Sequence, residues 1–243
     1  MAQSIDDHYQ RLAETYERNW ADRPDYVAWM ADRLITWLSP SPGDRIADIG
    51  SGTGLFLGKL METATADTPV ICVDPSQPML DLLPDDPRLL PVRATAEEIA
   101  SGEVPLPYGQ ADAFVFKEAI HHVRDIKEAL RGLAGLLRPG GRILVVTLPP
   151  RLDYPLFEAA LERFARHQPE PASIAGAMRD AGLETEHATE EYRVEIDREQ
   201  WIDLVRNRWM SVLSSLSEEE LAAGIEEIRD RHPERTLTYT DRF

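Results

Sequence analysis

Asp48-Ile49-Gly50-Ser51-Gly52-Thr53-Gly54 stands between the apolar run Arg45-Ile46-Ala47 and the helix-like Leu55-Phe56-Leu57-Gly58-Lys59-Leu60, where a strand turns sharply into a helix. Glycines at alternate positions let the backbone approach a ligand closely. Asp48 sets a carboxylate at the mouth of that turn. A pyrophosphate seeks backbone N–H groups and a helix N-terminus, and a fixed negative charge beside the glycines opposes it. The dinucleotide fingerprint also needs its third glycine three positions after the second, which here is Leu55. The looser spacing Gly52, Gly54, Gly58 keeps a nucleotide-dependent oxidoreductase as the alternative.

S-adenosylmethionine carries a sulfonium, an ammonium and one carboxylate but no phosphate, so a turn guarded by an acid suits it better. Around the turn, short apolar runs alternate with helical spacing from Arg45 to Thr147, the mark of a parallel sheet wrapped by helices. Strands are expected near 45–49, 70–73, 89–92, 112–116 and 142–147. Helices are expected over 54–65, 77–83 and 125–137, the last stopped by Arg138-Pro139-Gly140-Gly141. Upstream, Tyr26 to Leu38 reads as an amphipathic helix, with Trp29 and Trp37 in its buried stripe. Downstream, helices are expected over 156–167, 173–182, 199–213 and 217–230, with strands over 191–196 and 236–240. Ser217 and Glu220 have capping-box spacing.

The 243 residues suffice for one sizeable α/β domain. The expected division is a helical N-terminal cover over 1–40, a ligand-binding core over 44–150 and an acceptor-side region over 151–243, with a helical insertion at about 198–230. A formal net charge of −17 disfavours a non-specific grip on nucleic acid or an anionic membrane. The single cysteine, Cys72, lies in an apolar run, which excludes a disulfide framework and cysteine-type metal clusters. No metal site is expected. Met1 to Asp7 has neither a basic start nor an apolar core, and no later stretch has the length of a membrane span, so the expected location is cytoplasmic.

Four motifs resemble the class I S-adenosylmethionine-dependent methyltransferases, in particular the small-molecule branch with ubiquinone/menaquinone-type and trans-aconitate-type enzymes. They are Asp48 to Gly54, Val73-Asp74-Pro75-Ser76, Asp112 to Phe116 with Lys117-Glu118-Ala119-Ile120-His121-His122-Val123, and Leu137 to Val145. Tyr9 to Tyr16 is similar to the family's N-terminal signature of two tyrosines flanking a short helix. The resemblance covers roughly residues 9–147. It implies a Rossmann-like, doubly wound, seven-stranded sheet with an antiparallel last strand, and ligands at the carboxyl ends of the strands.

The resemblance also implies roles. Asp48 would hold the methionine ammonium, with Gly50, Ser51, Gly52 and Gly54 shaping the backbone along the cofactor. Asp74, next to Pro75, would accept from the ribose hydroxyls, since an ionised carboxylate offers two oxygens. Met79 would pack on adenine. Where the family usually has an acid, this chain reads Ala94-Thr95-Ala96-Glu97, so Thr95, Ala96 and Glu97 are candidates for the adenine edge. Tyr16, Arg23 and Lys117 complete the cofactor set, with Arg23 placed to meet the cofactor carboxylate.

His121 and His122 are the catalytic candidates, because an imidazole with an ordinary pKa near 6.5 can serve as a base where the acceptor should lie; His121 is preferred. Tyr9, Trp20, Glu118, Arg206 and Trp209 are candidate acceptor-binding residues, Arg206 or Arg208 as a clamp for a substrate carboxylate and Glu118 for a cationic acceptor. The activity this implies is methyl transfer to N or O of a small molecule in specialised metabolism, with S-adenosylhomocysteine as product. A peptide N-terminus as acceptor and an S-adenosylmethionine-binding protein without activity stand as alternatives. A monomer or homodimer is expected.

Overall fold

The computed structural model describes residues 23–243. Those residues divide into two compact units: the chain up to Thr147 together with Pro171–His187, and Leu148–Glu170 together with Ala188–Phe243. Where a boundary near 150 is expected, the chain leaves the first unit after Thr147 and returns to it for one helix.

In the first unit, α1 (Pro24–Leu38) starts with proline at its first position, where the missing N–H costs nothing. It buries Tyr26, Met30, Ala31, Leu34 and Leu38. Trp29 lies only part-buried beside that stripe, and Trp37 falls outside it, 37% exposed, which corrects their expected place in the core. Strands β1 (Ile46–Ile49), β2 (Val70–Asp74), β3 (Leu89–Arg93), β4 (Ala111–Lys117) and β5 (Leu137–Val146) form one sheet in the order β3-β2-β1-β4-β5, every pair parallel. β1 and β2 are buried at every position, as expected of parallel strands covered on both faces.

Besides α1, the helices of this unit are α2 (Gln77–Leu80), α3 (Ala96–Ser101), α4 (Ile126–Gly135) and the returning α6 (Pro171–Asp180). Leu130 and Leu133 of α4 join Phe114, Phe116 and Ile120, with Ile174 and Met178 of α6, in one core. The helix expected over 54–65 does not form; turns lead there to a short 3-10 helix at Leu60–Glu62. Gly54 and Gly58 lower helix propensity in the first half of that segment. Arg138 to Gly141 is no helix stop either. It opens β5 with an irregularity, Ala111 pairing Leu137 and Ala113 pairing Arg142, and Gly140 takes a φ of +80°.

In the second unit, β6 (Glu191–Asp197) and β7 (Thr236–Arg242) pair antiparallel, and α5 (Glu158–His167), α7 (Arg198–Arg206), α8 (Ser211–Ser214) and α9 (Glu218–Arg231) complete it. The expected seven-stranded sheet is therefore corrected to a five-stranded parallel sheet and a separate antiparallel pair. The last strand, expected antiparallel within the main sheet, instead pairs antiparallel with β6 outside it. Trp201 is fully buried in this unit's core, and its indole N–H donates to the Pro155 carbonyl at 2.8 Å. The capping box of α9 forms as its spacing predicts: Glu220 N donates to Ser217 Oγ at 3.1 Å and Ser217 N to Glu220 Oε2 at 2.7 Å. Among the described residues no helix is long and apolar enough to cross a membrane, and no group of three or more potential metal ligands occurs.

Candidate active site

β2 and β3 build the sheet to one side of β1, and β4 and β5 to the other, so the strand order reverses beside β1. Open α/β sheets bind ligands beyond the carboxyl ends of the strands at such a point. There the glycine turn leaves β1. Gly50, Gly52 and Gly54 have φ of +76°, +55° and +78°, values that L side chains resist. Gly50 N and Ser51 N both donate to Val73 O, at 2.7 and 3.1 Å, which ties the turn to β2. A Cβ on Gly50 would stand 2.4 Å from the Ala119 Cβ, so the turn is closed against the loop after β4. A Cβ on Gly52 would meet nothing within 4 Å among the described residues.

Two buried carboxylates flank the turn. Asp74 Oδ2 accepts from Gly52 N at 3.0 Å and Oδ1 from Ser76 N at 2.8 Å, leaving each oxygen a further lone pair. Burial raises its pKa, and the two N–H donors oppose the rise. Asp48 is more exceptional, because its Oδ1 is buried with no hydrogen-bond partner among the described residues. Burial first, then the Asp74 charge, push its carboxyl up to about 7, while Lys117 draws it down. A buried oxygen without a donor is costly. A cationic ligand would relieve both the missing donor and the repulsion between the two acids.

Lys117 ends β4 with its side chain only 9% exposed, Nζ 4.0 Å from the centre of the Phe56 ring and ion-paired to Glu118. Glu118 is thereby matched by a cation, which weakens its expected role as a receptor for a cationic acceptor. His121 and His122 occupy a short 3-10 helix, Ile120–His122, with ring centres 4.0 Å apart. Burial lowers His121 to about 4; burial and then the neighbouring His121 lower His122 to about 3. The expected base with an ordinary pKa is thus corrected to a pair of neutral imidazoles. His121 Nδ1 is buried without a hydrogen-bond partner among the described residues.

The expected adenine-edge residues are engaged otherwise. Thr95 caps α3: its Oγ1 accepts from Glu98 N at 3.2 Å and lies 2.9 Å from Glu98 Oε2. Glu97 Oε1 accepts from Arg124 N at 2.8 Å. Ala96 and Met79 are buried. Pro75 O accepts from Arg93 Nε at 3.2 Å, and the Arg23 guanidinium lies 4.7 Å from the Tyr26 ring centre. In the second unit Arg206 pairs with Asp203 one helical turn away, while Arg208 Nη2 meets Glu218 at 2.7 Å and Nη1 the Leu216 carbonyl at 2.8 Å. Trp209 packs on Trp201 with ring centres 4.8 Å apart. Tyr9, Tyr16 and Trp20 lie outside the described residues.

Two site residues go unnoticed in the sequence. Thr53 is buried in the turn with Oγ1 unpartnered among the described residues, and Phe56 supplies the aromatic face under Lys117. The alternation of Thr53 with the glycines is a signal for the first; nothing local marks the second.

Residues 47–145, which hold the parallel sheet and its acid-guarded glycine turn, match the family described as methyltransferase domain. Over those residues the chain is similar to methyltransferases of the S-adenosylmethionine-dependent class I fold. It is 37% identical over 132 residues to the uncharacterized methyltransferase Rv3342 of Mycobacterium tuberculosis, covering 54% of this chain and 48% of that protein. The chain thus spans about half the length of that relative. Over 178 residues it is 24% identical to the ubiquinone/menaquinone biosynthesis C-methyltransferase UbiE of Cereibacter sphaeroides, covering 72% of this chain and 69% of that protein. Its fold is also similar to phosphoethanolamine N-methyltransferase 2 of Haemonchus contortus, solved with phosphomonomethylethanolamine and S-adenosylhomocysteine, with TM-score 0.52, 14% identity and coverage of 87% of this chain and 51% of that one.

Proposed function

We propose that the protein transfers a methyl group from S-adenosylmethionine to a nitrogen or oxygen of a small acceptor in specialised metabolism. The observation that carries this reading is the Asp48–Asp74 pair, two buried acids at a glycine turn, one with an oxygen that no group among the described residues satisfies. Asp48 would face the ammonium of the methionine end and Asp74 the ribose hydroxyls. The positive φ at Gly52 and the open space over it among the described residues suit a ligand lying against the backbone.

When bound, the donor supplies a methyl group activated by a sulfonium. The protein's share is then to align the acceptor and exclude water. His121 Nδ1 is placed in this reading to take the proton of a hydroxyl acceptor as the new bond forms, which a neutral imidazole can do without first shedding a proton of its own. N- or O-transfer is favoured over C-transfer because no additional acid–base cluster marks the sequence for carbon activation. UbiE, a C-methyltransferase, and the Haemonchus N-methyltransferase show that relatives and fold neighbours differ in the atom they modify.

Calorimetry with S-adenosylmethionine against NAD tests the donor, and release of S-adenosylhomocysteine with candidate acceptors tests turnover. Uptake of NAD without affinity for either sulfur ligand overturns the reading. Asp74→Ala should weaken S-adenosylhomocysteine binding by about 2 kcal/mol, roughly thirtyfold, the scale of hydrogen bonds to a charged acceptor. Unchanged affinity in a folded variant counts against the ribose assignment.

A further inference from the structure

Lys117 and Glu118 are consecutive residues at the end of β4. Successive side chains of a strand point to opposite faces, so neighbours meet only if the backbone turns. It does: Glu118 has a φ of +52°, left-handed geometry that a non-glycine residue adopts at a cost of about 1 kcal/mol. Its N–H is anchored on Val146 O at 2.8 Å, and its carboxylate folds back onto the Lys117 ammonium. The Phe56 ring lies under the same ammonium at 4.0 Å, a cation–π contact strengthened where water is excluded. A strained residue and an aromatic face together fix a buried cation.

β1 is flanked by β2 and β4, and both sides act on Asp48. From β2 come the Asp74 carboxylate and the Cys72 thiol, which is paired in register with Asp48 and pushed up by burial, hence neutral. From β4 comes Lys117, two residues beyond Val115, the register partner of Asp48, together with its counter-ion Glu118. Lys117 is the cation that opposes the burial of Asp48.

We propose that Lys117, held by Glu118 and Phe56, is a positioning residue of the donor site whose ammonium favours the carboxylate form of Asp48 that meets the cationic end of the ligand. This inference rests on reading the pocket as a methyl-donor site. Without the ammonium, Asp48 would hold its proton to higher pH, and a cation would have to expel that proton to bind.

The test compares wild type, Lys117→Met and Lys117→Arg by calorimetry with S-adenosylhomocysteine from pH 6 to 9.5, and by carbon NMR titration of the Asp48 carboxyl in the free proteins. Wild-type affinity should rise with pH through about 7 and then level. For a midpoint displaced by about one pH unit, Lys117→Met should bind roughly fivefold more weakly at pH 7 and roughly ninefold more weakly at pH 6, and converge with wild type near pH 9.5. Lys117→Arg should restore the wild-type midpoint. A Lys117→Met affinity that is unchanged, or reduced by one constant factor at every pH, overturns the role, as does an Asp48 titration that does not move. Absence of sulfur-ligand binding by wild type instead removes the donor-site reading, and the NMR titration still decides whether Lys117 governs Asp48.

Discussion

Asp48→Asn is expected to stabilise the protein and, in the same step, to abolish its grip on the donor. The folded carboxyl titrates at about 7, against a reference value of 3.8. A group raised in this way favours folding while protonated, and that advantage is lost as pH rises through the folded value. Ionised Asp48 therefore weighs against the fold above pH 7. Three units of displacement correspond to about 4 kcal/mol. Asparagine keeps the shape and removes the charge, so the gain should be near zero below pH 4, grow between pH 4 and 7 and level at about 4 kcal/mol. The histidines act in the opposite sense, since their lowered folded values make stability fall as pH drops from 6.5 toward 4. They are present in both proteins and cancel in the difference. Donor affinity should fall by at least ~100-fold, because removing one partner of a buried ion pair costs several kcal/mol. Urea unfolding at pH 4 and pH 8, with S-adenosylhomocysteine calorimetry, reads both effects. A variant no more stable at pH 8, or one that binds as wild type does, contradicts the role of Asp48.

This opposition between stability and binding is what a functional site looks like when it is preorganised for a ligand it does not yet hold. An apolar residue at position 48 would serve the sheet better. The acid is tolerated because Lys117 partly offsets it, and Lys117 is in turn held by a strained Glu118.

Much of this was legible in the sequence wherever a local rule acts alone. β1, β2 and β4 follow from apolar runs, the glycine turn from its spacing, and the cap of α9 from Ser217 and Glu220. Thr95-Ala96-Glu97-Glu98 carries the same capping-box spacing, and that signal identifies Thr95 as the cap of α3. What stayed hidden depends on tertiary surroundings. Periodicity places Trp37 near an apolar stripe but cannot say where the stripe ends. Alternation in β6 and β7 reveals two strands without revealing that they pair with each other. The imidazole shifts arise from burial by residues remote in the chain, which no motif encodes.

Those shifts shape the second large effect. His121→Ala is expected to lower kcat by two or more orders of magnitude on a hydroxyl acceptor, the lower end of what a positioned base contributes. S-adenosylhomocysteine affinity should change by less than about threefold, since His121 is assigned to the acceptor and not to the donor. An imidazole near 4 is too weak to strip a hydroxyl in advance. It becomes adequate as the oxygen–carbon bond forms and the hydroxyl proton turns strongly acidic, so proton transfer accompanies methyl transfer. An amine acceptor can attack first and release its proton later, and there the loss should stay under about tenfold. The ratio of the two losses separates a base from a pocket wall. Because both histidines are neutral from pH 6 to 9, the wild-type kcat should show no inflection near 6.5 over that range. An inflection there, or equal losses on hydroxyl and amine acceptors, would remove His121 from the proton path.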